Sequence, residues 1–287
     1  MNRRSRYTDY DEEATARCER ALVTLLGDLG PWRQRVYLVG GLAPRYIVGR
    51  LPADARAHVG TTDVDLVVTL LLGTEEPEAY RTLKTNLEKS GFHQEEPSFR
   101  WSRSVDGATV LVEFICETDA VALGGIFRPK GESTGSGFTA FNVRGAQIVG
   151  QDFVEVDIES DRLDGGGRSR VTLRVANLVP FVVLKILAFQ ERHENKDAYD
   201  LVFTLLNSQG GPKAAGQASS RSPVASHRQV KDATQLLSER FAGVEQDGPT
   251  AYADFLAETG EEEERARLRL EAVVTIREFL AGFGEAE

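Results

Sequence analysis

Two aspartates one residue apart, Asp63 and Asp65, stand at the head of the apolar run Asp63-Val64-Asp65-Leu66-Val67-Val68. In a strand, side chains alternate, so both carboxylates point one way while Val64 and Leu66 enter the core. Neighbouring carboxylates repel and raise one another's pKa unless a cation lies between them. Mg²⁺ or Mn²⁺, which takes carboxylate and phosphate oxygens, rewards this pattern. The plain alternative is a pair of solvated acids on an open strand face. Upstream, Val36-Tyr37-Leu38-Val39 runs into Gly40-Gly41 and then a short helix around Leu42 to Val48. Glycines let backbone approach a phosphate closely, and the following helix offers N–H groups at its N-terminus. Arg45 projects from that helix, either toward phosphate or as an ordinary solvated arginine. Metal-assisted transfer usually needs a third acid. Glu113 fits, because it interrupts the apolar strand Val110-Leu111-Val112-Glu113-Phe114-Ile115 where an unpaired charge is expensive to bury. Strand alternation alone is the competing account of Glu113.

The stretch Leu38-Val39-Gly40-Gly41 followed by Thr62-Asp63-Val64-Asp65-Leu66 resembles the signature of the DNA polymerase β-like nucleotidyltransferase superfamily, a glycine turn followed by an Asp-x-Asp strand. A second segment, Leu184-Lys185 through Arg192 and Lys196-Asp197-Ala198-Tyr199-Asp200-Leu201, is similar to the helical motif of AbiEii-type nucleotidyltransferase toxins, including the MenT group. The resemblance covers roughly Val36 to Leu206. It implies an enzyme that moves a nucleoside monophosphate from an NTP to a hydroxyl, with Mg²⁺ or Mn²⁺ as cofactor and Asp63, Asp65 and Glu113 as catalytic metal ligands. It implies NTP contacts from Gly40, Gly41, Arg45, Thr62, Lys185, Arg192 and Lys196, and catalytic roles for Lys185, Asp197 and Asp200, the two acids orienting Lys185 or a water. It further implies a tRNA 3′ end as acceptor, growth inhibition, and a cognate antitoxin as partner. Asp200 has a simpler reading as the surface partner of Lys196 one turn away. Lys185 is harder to explain away, because it sits in an otherwise apolar helix. One departure is Leu42, where many relatives place Ser or Thr against a phosphate oxygen; backbone amides would have to substitute.

Other functions compete with this one. An antibiotic-modifying or protein-modifying nucleotidyltransferase would use the same metal core on another hydroxyl. A non-catalytic module binding nucleotide or antitoxin would keep the fold alone. Coincidence of a glycine turn and an Asp-x-Asp strand in an unrelated protein is the third alternative.

The elements that must position these residues follow from pattern. Helical spacing runs from Asp11 to Leu29 and stops at Gly30-Pro31. A strand over Val64 to Leu71 and a helix over Glu76 to Lys89 follow, then strands over Ser98 to Val105 and Ala108 to Cys116 joined at the hairpin pair Asp106-Gly107. Gly124 to Gly137 reads as a loop, and strands around Gln147 to Ile158 and Ser169 to Val175 flank Asp164-Gly165-Gly166-Gly167. Asn177 caps a helix through Gln190, Lys196 to Leu206 forms another, and three more end in Glu261 to Leu280. The expected class is α+β: a polymerase β-like nucleotidyltransferase lobe over residues 1–175, its mixed sheet flanked by helices, then a mainly helical C-terminal lobe over 176–287. The Gly/Ser/Ala/Pro-rich stretch 208–226 reads as a flexible linker.

Composition narrows the partners. Forty-four acidic against 34 basic residues, a net charge of -10, weigh against a broad nonspecific nucleic-acid surface while leaving room for a local basic groove. No apolar run reaches the roughly 20 residues of a membrane span; the longest, Leu178 to Phe189, is interrupted by Pro180 and Lys185. The basic N-terminus has no apolar stretch behind it, so no secretory signal is expected and the protein should be cytoplasmic with no membrane partner. Cys18 and Cys116 lack any CxxC or Cys/His cluster, which argues against disulfides and zinc and for two buried small hydrophobes.

Overall fold

The computed structural model describes residues 6–51, 55–69, 76–129, 137–163, 165–257 and 261–285, of 76–80 only the backbone. In chain order the described residues form α1 (Glu12–Asp28), β1 (Val36–Val39), α2 (Pro44–Ile47), β2 (Asp63–Val68), α3 (Glu76–Lys89), β3 (His93–Gln94), β4 (Arg100–Val105) and β5 (Ala108–Cys116). They continue with β6 (Ile126–Phe127), β7 (Ala140–Asn142), β8 (Phe153–Asp161) and β9 (Arg168–Ala176). The remainder is helical: α4 (Leu178–Arg192), α5 (Asn195–Leu206), α6 (Gly211–Ser219), α7 (Arg228–Arg240), α8 (Asp247–Leu256) and α9 (Glu262–Gly284). The chain is therefore mixed α+β, and it divides into two compact units.

The sheet unit comprises Glu12–Leu42 and Gly60–Ala176. Its strands run in the order β3-β4-β5-β2-β1-β9-β8, with β7 beside β5 and β6 beside β7. Pairing is mixed: β1 is antiparallel to β2 and parallel to β9, while β2 is parallel to β5. Helix α1 starts with Glu12 and Glu13, acids that suit its positive N-terminal end. Its apolar stripe Cys18, Leu22 and Leu25 is fully buried against the sheet, chiefly β8 and β9. The β4–β5 hairpin turns on Asp106 and Gly107, both at positive φ (51° and 79°), as the Asp-Gly pair predicts. The strand expected over Val64 to Leu71 begins one residue earlier and ends at Val68; Leu70 and Leu71 lie outside the described residues. The segment 124–137, expected as a loop, carries the short strand β6, which pairs with β7, and its residues 130–136 lie outside the described ones. Gln147–Gln151, expected as strand, is a 3₁₀ turn leading into β8.

The helical unit comprises Met1–Asp11, Ala43–Val59 and Asn177–Glu287, so the segment 43–59, expected in the first lobe, packs with the helices. Asn177 caps α4, its Oδ1 accepting from the Leu178 N–H at 2.8 Å. His193, at φ 49°, closes α4 in the left-handed region and reverses the chain into α5. The stretch 208–226 is not a linker. It contains α6, which packs on α9, and Ala215, Ser219 and Val224 are buried. Its small residues serve close packing: a Cβ on Gly216 would lie 2.1 Å from the Phe279 carbonyl, and one on Gly282 would lie 2.1 Å from that of Lys213. Composition alone does not separate this use of glycine from mobility. Among the described residues no helix is long and apolar enough to cross a membrane. Cys18 and Cys116 are free and buried.

Candidate active site

Strand register decides where the acids meet. Asp65 pairs with Val39 of β1 on one side and with Glu113 of β5 on the other, while Asp63 pairs with Leu111. Val64 and Leu66 are fully buried, and Asp63, Asp65 and Glu113 are half-buried. Residues paired across adjacent strands share a face, so the three acids line one face of the sheet. Val39 leads into Gly40, and there the backbone takes φ 68°. A Cβ on Gly40 would lie 1.8 Å from Asp65 Oδ2. The glycine expected to admit a phosphate thus first of all admits the Asp65 carboxylate. Gly41 and Leu42 behind it are buried, which places the departure at position 42 in the core.

Asp63 is held from the turn before it. The Thr61 hydroxyl donates to Asp63 Oδ1 at 2.6 Å. Thr61 is itself fastened to α1: its N–H donates to Thr15 Oγ1 at 3.2 Å, and Cys18 Sγ approaches its carbonyl at 3.8 Å. The neighbouring Gly60, at φ 81°, is required there, since a Cβ would meet Thr15 Oγ1 at 1.8 Å. Burial, and next the Asp63 charge, push the Cys18 thiol up to about 12, so it is an inert packing group. Sequence reasoning named Thr62, which lies half-buried beside this contact, and missed Thr61; a hydroxyl two residues before an aspartate is the local signal that points to it.

Glu113 also has a partner: Arg100, opposite it on β4, donates through Nε to Oε1 at 2.6 Å. Among the described residues, no three His, Cys, Asp or Glu side chains converge closely enough to enclose an ion. The donor set nonetheless suits a hard cation, being carboxylate oxygens at the head of one strand and in register on the next. The closest fit is the pair Asp63 and Asp65, with Glu113 bonded to Arg100.

In the helical unit, Lys185, Arg192, Lys196, Asp197 and Asp200 form one network. Lys185 Nζ donates to Asp197 Oδ1 at 3.1 Å and to Asp200 Oδ2 at 2.6 Å. Arg192 grips Asp197 with two bonds of 2.7 Å, and Lys196 reaches both Asp200 oxygens at 3.0 Å. The α4–α5 reversal makes this possible by bringing Lys185 against the first turns of α5. A further member was not legible in sequence: His58 Nε2 lies 2.9 Å from Asp200 Oδ1, with its ring stacked on Tyr199. Tyr199 Oη in turn accepts the Val59 N–H at 3.0 Å, so two consecutive residues of the 55–59 segment are pinned to α5.

The electrostatics follow from burial and pairing. Burial penalises the Lys185 ammonium, but Asp200 and Asp197 outweigh it and raise its pKa above the ordinary lysine range. Burial opposes the Asp200 and Asp197 charges likewise, yet Lys185 first, with Lys196 and His58 for Asp200 and Arg192 for Asp197, holds both carboxyls well below their usual range. Burial pushes His58 down to about 4, so the imidazole is neutral, and three cations face two anions. Lys185 is buried, whereas the Arg192 side chain is 52% exposed and that of Lys196 is 12% exposed. Arg45 lies half-buried on α2.

No protein-family model, no curated protein and no solved structure matches the chain.

Proposed function

We propose that the chain is a divalent-metal-dependent nucleotidyltransferase that moves a nucleoside monophosphate from an NTP to a hydroxyl and releases pyrophosphate. The observation that carries this reading is the fit of Asp65 into the space left by Gly40. A positive-φ glycine opened to the Asp65 carboxylate, two like charges on one strand face and a third acid in register set three carboxylates on one face of the sheet. They make sense as a preorganised oxygen-donor set beside a backbone turn.

Asp63 and Asp65 would hold Mg²⁺ or Mn²⁺, with Glu113 completing the set; the ion would neutralise phosphoryl charge and lower the pKa of the attacking hydroxyl. The chain's own contribution is orientation. Thr61 fixes the Asp63 carboxylate, Arg100 fixes Glu113, and Gly40-Gly41 presents backbone without a side chain. The roles of Arg45, Thr62, Lys185, Arg192, Lys196, Asp197 and Asp200 in the reaction rest on the resemblance. What the helical unit supports by itself is narrower: Lys185 is an internal counter-ion, and Arg192 and Lys196 are the cations of its network that reach solvent. The resemblance extends the proposal to a toxin of a toxin–antitoxin or phage-defence system acting on the tRNA 3′ end. A small hydroxylated molecule or a protein hydroxyl would serve the same core.

The test is label transfer. The purified chain is incubated with Mg²⁺, each labelled NTP in turn, and total RNA, the protein itself or an aminoglycoside panel. Label should reach one of these acceptors, and Asp63→Asn and Asp65→Asn should each lower the rate at least ~100-fold without changing the circular dichroism spectrum. Transfer that survives both substitutions would refute the metal site, and absence of both transfer and Mg-NTP binding would refute the enzyme. Toxicity on induced expression that Asp65→Asn relieves would favour the toxin branch.

A further inference from the structure

The helical unit holds a cavity of about 480 Å³ walled by α5, α8 and α9 and by residues 55–56. We propose that it binds a small organic anion, the anionic group held by Arg56 and Arg267 and a flat apolar body lying against Phe203, Leu256 and Leu268. The site is independent of the nucleotidyl-transfer reading.

The lining carries two arginines, Arg56 and Arg267, and two glutamates, Glu264 and Glu271. Of its two carboxylates, Glu271 already accepts the Tyr252 hydroxyl at 2.6 Å. The other, Glu264, is ion-paired with Arg267 at 3.7 Å, too long for a hydrogen bond, so the Arg267 donors stay available for one. Arg56 lies over the Tyr7 ring at 4.9 Å and has no carboxylate partner among the described residues. Tyr199 is 2% exposed; its oxygen accepts the Val59 N–H, and its own proton has no acceptor among the described residues. Arg56, Arg267 and Tyr199 therefore line the same space, with an aromatic and aliphatic surface beside them. Guanidinium forks match the paired oxygens of carboxylate, sulfonate or phosphate groups. The volume falls in the range of about 300–1,000 Å³ common to sites for small organic ligands.

Two probes with the same body separate anion recognition from mere apolar capture. The first, 8-anilino-1-naphthalenesulfonate, carries a sulfonate; the second, N-phenyl-1-naphthylamine, does not. Fluorescence titration of the folded full-length chain should show saturable binding of the sulfonate at one site, at least ~10-fold tighter than the neutral probe. Arg56→Gln combined with Arg267→Gln should weaken the sulfonate at least ~10-fold and leave the neutral probe within about twofold, a single charge-assisted contact being of this size. Both arginines are exposed, so the variant keeps its fold. Arg228→Gln, on an open face of α7, should change neither. The proposal fails if the wild type shows no saturable sulfonate binding, if it binds the two probes equally, if the double variant binds the sulfonate unchanged, or if Arg228→Gln causes an equal loss.

Discussion

A Cβ on Gly40 would stand 1.8 Å from Asp65 Oδ2, so the turn after β1 and the first carboxylate pair of β2 share one space that only glycine leaves open. Two features that are separate in sequence, a Gly-Gly turn and an Asp-x-Asp strand, are thereby a single steric unit. Antiparallel pairing of Val39 with Asp65 creates it.

Gly40→Ala should accordingly cost more than its backbone. Gly49 has nearly the same φ, 70° against 68°, and a methyl added there would meet nothing within 4 Å among the described residues, so Gly49→Ala reports the left-handed penalty, about 1 kcal/mol. Gly40→Ala should lose a further ~1–3 kcal/mol from steric displacement of Asp65 and should abolish label transfer. Urea unfolding of both variants, followed with the transfer assay, checks this; equal losses would mean that Asp65 moves aside at no cost.

Thr61→Val keeps the shape and removes the hydroxyl that donates to Asp63 at 2.6 Å. A loss of about 1 kcal/mol is expected in urea unfolding. The Mg²⁺ concentration for half-maximal transfer should rise several-fold, while kcat at saturating Mg²⁺ changes little. An unchanged Mg²⁺ requirement would show that Asp63 orients itself.

Lys185→Met removes the buried cation that Asp197 and Asp200 share, leaving Arg192 on the first and Lys196 on the second. One-sided removal of a buried ion partner typically costs about 3–5 kcal/mol. Circular dichroism at 222 nm during urea unfolding measures it, with Lys213→Met as comparison. Lys213 pairs with Glu285 at the surface, side chains 54% and 46% exposed, and its loss should leave stability unchanged.

His58 makes the helical unit sensitive to mild acid. Its folded pKa, about 4, lies below the ordinary 6.5, so between these values the unfolded chain binds a proton that the folded chain refuses. This contribution is fully present above pH 6.5 and drains away as pH falls toward 4, a loss of order 3 kcal/mol. Asp197 and Asp200, held still lower, lose theirs only at more acid pH. Unfolding free energies at pH 7, 5.5 and 4.5 should fall in that order, and His58→Gln, which keeps a donor toward Asp200, should flatten the slope by up to one proton. Parallel slopes would show that His58 titrates in the folded protein.

Gly282→Ala tests whether α6 is a packed helix. The new methyl would press on the Lys213 carbonyl, which is backbone and cannot step aside, so a loss of about 1–3 kcal/mol is expected. A stability unchanged from wild type would mean that α6 does not bear on α9.

Local chemistry made much of this protein readable from its residues. Alternation placed Asp63 and Asp65 on one face with Val64 and Leu66 behind them; Asp106-Gly107 specified its hairpin; Asn177 marked the start of α4; Lys185 stood out against its apolar helix. Each of these follows from rules that act over a few residues, namely side-chain period, turn chemistry and capping. Tertiary structure decided the partners. Strand order put Glu113 beside Asp65 and gave it Arg100; docking of α1 brought Thr15 to Thr61 across 46 residues; His58 met Asp200 across 142. No periodicity encodes such pairs, because each depends on how whole elements pack and on which register buries the most apolar surface. The same holds for α6, whose glycines read as slack in sequence and become close contact only once α9 lies against them.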